Sequence, residues 1–164
     1  MFGEHFYHET IKRSVSVFGT LFNNISIKRA SGETIKVPLA YGPRSRWIAR
    51  LQQSLDPVDK TSAINLPRMG FELTSIDYDS TRKLTKKIRL RKENSSNPLQ
   101  MQYQYAPAPY NLGFQLNILV KNTDDGLQII EQIMPYFTPD YTVTIHTVPG
   151  MGDKRDIPII LNSV

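Results

Sequence analysis

The 164-residue chain reads as an α+β protein, with a mixed, mainly antiparallel sheet and about three packed helices. Three observations carry that reading. Apolar residues recur every three or four positions in three places, which stacks them on one helix face. Elsewhere they recur every two, in neighbouring runs separated by turn-rich stretches, as in hairpins. No internal repeat and no interdomain linker interrupts the chain, so residues 1–164 are expected to form a single domain.

The first helix is carried by Phe2, Phe6, Ile11, Val15, Phe18, Phe22 and Ile25, and should end between Gly19 and Asn24. Ile25 and Ile27, then Ile35, Val37 and Leu39, alternate around the turn Ala30-Ser31-Gly32-Glu33, which predicts a hairpin. Pro38 has no N–H, so its strand should lie at an edge or meet one neighbour only. Helical spacing returns over 44–55 through Trp47, Ile48, Leu51 and Leu55, with Asp56-Pro57 as its stop. Met69, Phe71 and Leu73 alternate as a strand. Its phase slips at Ser75-Ile76, marking either a bulge or the strand's end. Residues 82–92 leave secondary structure open, and Glu93 to Pro98 has the composition of a loop. Leu99 to Tyr105 and Tyr110 to Val120 are alternating strands joined by Ala106-Pro107-Ala108-Pro109. Asp124-Asp125 begins a third helix with Leu127, Ile130, Ile133, Met134 and Phe137 on one side, broken near Pro135. Strands through Tyr141, Val143 and Ile145 and through Ile157, Ile159 and Leu161 flank a turn at 149–152.

The absence of cysteine excludes disulfides, thiolate zinc sites, iron–sulfur clusters and a cysteine nucleophile. No run approaches a membrane span, and the N-terminus lacks a signal-peptide pattern, so the protein is expected to stay where it is made. The net charge of +5 is uneven: residues 1–98 hold 17 basic and 9 acidic side chains, and residues 99–164 hold 3 and 6. A +8 half and a −3 half suit head-to-tail contact between copies.

No nucleophile elbow, phosphate-binding loop or dinucleotide fingerprint is present, and no cofactor is expected. His5 and His8 would share a helix face but lack the zinc-protease spacing and an obvious third ligand, and a solvated helix start explains them as well. His146 falls on the polar or interface side of its strand. Asp77 and Asp79 face one way but lack a third acid for a metal-assisted site. The chain is therefore expected not to be an enzyme. Its sharpest charge feature is Arg82, Lys83, Lys86, Lys87, Arg89, Arg91 and Lys92, a candidate interface. Such a run neutralises phosphates, but no aromatic residue lies between Tyr78 and Tyr103 to stack on bases. The competing reading is a solvated edge strand or arm held against a protein. Arg44, Arg46, Trp47 and Arg50 form a second candidate surface, since Trp and Arg are enriched at binding hot spots. A lone Trp on an amphipathic helix also serves as core.

An ordered series of segments resembles one known family. It runs through Met1-Phe2-Gly3, Phe6-Tyr7, Leu21 to Arg29, Ile35-Lys36-Val37-Pro38, Leu66-Pro67-Arg68, Tyr105 to Pro109, Gln128 to Pro139 and Lys154 to Ile159. Glu131 to Phe137 and Lys154 to Ile157 are the most specific pieces. The family is that of the tail sheath stabiliser and completion proteins, the tail terminators, of T-even-like contractile-tailed phages. The resemblance implies a tail-terminator-like fold and a structural virion protein that forms a hexameric ring at the neck-proximal end of the tail, assembled in the host cytoplasm. The implied partners are further copies of itself, the tail sheath protein, the tail tube or its tube-terminating protein, and neck proteins. DNA would be met at most transiently through the lumen, and no membrane is involved. Members usually continue past the position of Leu161 with further strands and a polar tail, so a C-terminal extension is expected to be missing here. The alternative function is a basic nucleic-acid-binding accessory protein.

Overall fold

The core forms where three strands meet two helices and a hairpin. The computed structural model describes residues 5, 7–52, 65–85, 87–94, 97–146 and 154–164. The central sheet has the order β3 (Leu39–Tyr41), β4 (Arg68–Tyr78), β7 (Tyr110–Leu119). β3 runs parallel to β4, and β4 runs antiparallel to β7 from Arg68 opposite Leu119 to Tyr78 opposite Tyr110. α1 (Thr10–Leu21) lays Phe18 onto this sheet, stacked on Phe114 with centroids 4.4 Å apart and in contact with Phe22 and Phe71. The hairpin β1 (Ser26–Lys28) and β2 (Thr34–Lys36) adds Ile27, and α3 (Thr123–Ile133) adds Ile129; Ile27, Val37, Met69 and Ile129 are fully buried. Burial of an aliphatic side chain of this kind is worth about 1.5–3 kcal/mol, so these four set much of the packing energy.

Side chains alternate across a strand, and β4 uses both of its faces. Met69 and Phe71 join the cluster under α1, while Arg68 and Gly70 meet α2 (Arg44–Gln52) through Trp47. Trp47 is 5% exposed, donates from Nε1 to the Gly42 carbonyl at 3.2 Å and lies under the Arg68 guanidinium. A Cβ on Gly70 would fall 2.5 Å from Trp47 Nε1, so a residue without a side chain is what allows the indole to sit there. On the other face a Cβ on Gly19 would come within 3.0 Å of the Phe71 ring. That close approach explains a glycine in the last turns of α1 despite a helix cost of about 1 kcal/mol.

Most sequence expectations match this architecture: mainly antiparallel strands, one parallel pair and three helices. Several elements differ. α1 begins at Thr10, because Glu9 sits in the left-handed region at φ 55° and Tyr7 to Glu9 are not helical. The run Ile35 to Leu39 is two strands, broken at Pro38, whose carbonyl accepts from Met69 N while Leu39 moves on to β4. The phase slip at Ser75 is a bulge opposite Gly113, and β4 continues to Tyr78. The loop expected over Glu93 to Pro98 is shorter, since strands reach Asn94 and resume at Asn97. α3 is rotated relative to its apolar list: Ile133 and Phe137 pack against the core as expected and Ile129, fully buried, joins them, while Leu127 is 54% and Met134 49% exposed. Gln128 and Gln132 fix that rotation, with Gln128 bonding both the N–H and the carbonyl of Lys28 and Gln132 donating to the Ser26 carbonyl. Pro135 ends the helix as expected, in a short 3-10 turn over Met134–Tyr136. β8 (Asp140–His146) and β9 (Lys154–Ile160) form a separate antiparallel pair. The expected helix stop at Asp56-Pro57 and the turn at 149–152 lie outside the described residues.

Candidate protein interface

The basic run becomes a strand. β5 (Arg89–Asn94) pairs antiparallel with β6 (Asn97–Tyr105) in a two-stranded ribbon that is not part of the central sheet. Alternating residues face one way, and directly opposed residues share a face. Arg89 stands opposite Tyr105, and Arg91 opposite Tyr103. The Arg89 guanidinium lies 5.1 Å from the Tyr105 ring and 5.6 Å from the Tyr103 ring. The two tyrosines meet edge to face with centroids 6.2 Å apart. Met101 extends the same face up to a register shift between Glu93 and Asn94, and exposure along β6 rises outward from 55% at Tyr105 through 65% at Met101 to 94% at Leu99. Leu90 lies on the opposite face, across from Gln104, and is also exposed.

The base of the ribbon is held by a polar knot. Asp79 Oδ1 accepts from the Thr81 hydroxyl at 2.6 Å and from Thr81 N at 2.9 Å, and its Oδ2 accepts from Arg82 Nε at 2.6 Å. Arg82 also donates from Nη2 to Asn111 Oδ1 on β7. The Thr81 hydroxyl and then the Arg82 guanidinium hold the Asp79 carboxyl well below its ordinary value. A carboxylate so held accepts hydrogen bonds and does not deliver protons. Asp77 accepts from the Ser75 hydroxyl at 2.8 Å. The pair is therefore a structural anchor for the approach to β5, with Ala106 N bonded to the Ile88 carbonyl closing the ribbon's base.

The candidate residues separate accordingly. Arg82 is committed to Asp79 and Asn111, whereas Lys83, Lys87, Arg89 and Arg91 are exposed. The three ion pairs among the described residues are Lys12–Glu9, Arg29–Asp125 and Arg82–Asp79, and none uses these four cations. Lys86 lies outside the described residues, and Lys92 is placed in β5 by its backbone opposite Gln102. Arg44, Arg46 and Arg50 are exposed on α2, with the Arg44 N–H directed at Glu72. Trp47 is packed inside the chain and offers no surface. Tyr103 and Tyr105 are the residues that linear reading left out of the basic site; hairpin pairing, not sequence proximity, brings them to the arginines.

His5 and His8 precede α1 and are exposed, His146 is exposed at the end of β8, and no group of three or more His, Asp or Glu able to hold a metal occurs among the described residues. No helix is long and apolar enough to cross a membrane. What the described residues present is outward-facing surface, a basic aromatic ribbon beside a modest core.

Comparison with known proteins gives this surface a setting. Residues 5–164 match the family of T4-like virus Myoviridae tail sheath stabilisers, and the chain belongs to that family. It is 34% identical over 175 aligned positions to the tail completion protein gp15 of Enterobacteria phage T4. That alignment takes in 99% of this chain and 62% of the relative, so the chain spans less than two thirds of the relative's length.

Proposed function

We propose that the protein is a ring-forming tail terminator. Six copies close the end of the completed tail, hold the last sheath ring and offer the neck a docking surface. Residues 1–164 act as one terminator domain without catalytic function, located at the neck-proximal end of the virion tail after assembly in the host cytoplasm. Its partners in this reading are other copies, the sheath protein, the tube or tube-terminating protein and neck proteins. The observation that carries it is the family match from residue 5 to residue 164. It is supported by the surface, where Leu99, Met101, Tyr103, Tyr105, Tyr136 and Ile160 are all more than half exposed. Apolar exposure on that scale calls for a covering partner. Native mass spectrometry and electron microscopy of the purified protein test the reading: six-membered rings, free or on tail ends, are expected. A protein that stays monomeric and is absent from tails refutes it.

The cross-strand pairing of Arg89 and Arg91 with Tyr105 and Tyr103 favours a second reading, the basic nucleic-acid-binding accessory protein, because it interleaves cations with aromatic rings. Tight, steeply salt-dependent oligonucleotide binding by a non-assembling protein would select it.

A further inference from the structure

We infer that the β5–β6 ribbon of one copy docks on the outer face of α3 and the start of β8 of the next copy. The inference rests on the ring reading and names the two surfaces that would close the ring. Residues 82–93 hold seven basic side chains against one acidic, a net of +6. The rest of the chain holds thirteen basic and fourteen acidic, a net of −1. The chain's positive excess is thus confined to the ribbon and its approach. Residues 122–146 are the counterpart: they contain Asp124, Asp125, Glu131 and Asp140 and no Lys or Arg. Asp125 is buried and faces Arg29 at 3.9 Å, which leaves Asp124, Glu131 and Asp140 exposed.

The rotation of α3 arranges these acids usefully. Asp124, Leu127, Glu131 and Met134 are spaced three, four and three apart and form one outward stripe of alternating carboxylate and apolar side chains. Leu127 is 54% exposed, Met134 49% and the adjoining Tyr136 68%. At 1.5 Å per residue the stripe is about 15 Å long. The regular ribbon row from Met101 to Tyr105, at about 3.4 Å per residue, is about 14 Å long, with Leu99 just beyond it, so the two can lie along each other. Chemistry matches as well as length: arginines and tyrosines with Leu99 and Met101 on one side, carboxylates with Leu127, Met134 and Tyr136 on the other. Tyr, Met and Arg are the residues enriched at protein interface cores. An exposed Met in the row and an exposed Leu just beyond it suit an apolar protein face better than a phosphate backbone. Because the two surfaces differ, the contact is heterologous and can close a ring of copies.

Charge reversal on the full chain tests this, with circular dichroism and Trp47 emission checking the fold. Arg89→Glu with Arg91→Glu, and separately Asp124→Lys with Glu131→Lys, should each lower the ring fraction at least tenfold. Mixing the two variants, or combining all four changes in one chain, should restore rings. Unchanged assembly of the ribbon variant overturns the inference while leaving the ring intact. Loss of assembly that neither mixing nor combination restores also overturns it, since the ribbon's receptor then lies elsewhere. Unchanged assembly with lost oligonucleotide binding would assign the ribbon to nucleic acid instead. A wild-type protein that never assembles removes the ring reading itself.

Discussion

Replacing Gly70 with alanine should unsettle the Trp47 side of the central sheet by an amount that the geometry sets. The backbone at Gly70 is outside the left-handed region, so alanine fits the strand without conformational strain. Its new methyl would lie 2.5 Å from Trp47 Nε1 and 3.1 Å from Cδ1 and Cε2. Ordinary carbon contacts are about 3.5 Å or longer, so the indole must retreat by about 1 Å. Trp47 is buried and its hydrogen bond to the Gly42 carbonyl is already 3.2 Å, so that shift breaks the bond. Overpacking costs about 1–3 kcal/mol, and the lost hydrogen bond about 1 kcal/mol. The lower chain entropy of alanine returns about 0.5 kcal/mol. The expected net destabilisation is therefore about 1.5–3.5 kcal/mol. Urea unfolding followed by far-ultraviolet circular dichroism measures it, and the emission of Trp47, the sole tryptophan, should shift to the red. Trp47→Phe removes the atom in the shortest contact, so Gly70→Ala should cost at least about 1 kcal/mol less in that background. A cost below about 0.5 kcal/mol, or equal costs in both backgrounds, would refute the packing argument.

Three further predictions concern α3 and the ribbon's base. Ile129→Ala should destabilise by about 2–5 kcal/mol in urea unfolding, whereas Leu127→Ala should stay within about 0.5 kcal/mol, because only Ile129 faces the core. The reverse ranking would mean that the helix is rotated. Gln128→Ala removes both bonds to the Lys28 backbone and should speed hydrogen exchange of the Lys28 amide severalfold, with the Met69 amide unchanged. For Asp79 the folded carboxyl lies below the ordinary 3.8, so it favours the folded state above that value and loses this contribution as pH falls through the folded titration. Asp79→Asn should therefore flatten the stability-against-pH curve below about pH 4, and a curve that keeps its wild-type slope would contradict the knot.

Sequence reading located elements well where one physical signal governed them. The alternation from Tyr110 to Val120 is β7 because a strand with one packed face needs period two throughout. It did less well where two signals competed. In α3 the apolar residues Leu127, Ile129, Ile130, Ile133 and Met134 cover more than one face, so spacing alone admits several rotations. The choice was made by glutamines reaching across to β1, a tertiary contact about a hundred positions away in sequence. Pro38 was read as a sign of an edge or a single neighbour, and the strands on either side of it do have one partner each, β2 with β1 and β3 at the edge of the central sheet. What the proline did not reveal is that the chain passes there from one sheet to the other. Trp47 could be core or contact on composition, and only the facing Gly70 distinguishes them.

The ribbon shows why a charged run is hard to interpret in one dimension. Counted along the chain, Arg89 and Arg91 have no aromatic neighbour, which argues against a built recognition surface. Folding the chain back between Asn94 and Asn97 sets Tyr105 and Tyr103 directly opposite them. The turn alone does not yield these pairs: Asn94 opposite Asn97 extrapolates to Arg91 opposite Gln100 and Arg89 opposite Gln102, and a register shift between Glu93 and Asn94 brings the tyrosines into place instead. The same step changes the energetic reading. Like-charged side chains along an isolated two-stranded ribbon repel, and such a ribbon is marginally stable in water. Cation–π contact of Arg89 with two rings offsets part of that cost, at about 0.5–1 kcal/mol for exposed contacts. Among the described residues, Met101 stays exposed and Lys83, Lys87, Arg89 and Arg91 form no ion pair, and an acidic, apolar protein face would relieve both together. Ordering of the ribbon and assembly of the ring should therefore be one event, with amide protection over β5 and β6 rising in step with the assembled fraction. Full protection in a dilute monomer would show that the ribbon needs no partner to hold its shape.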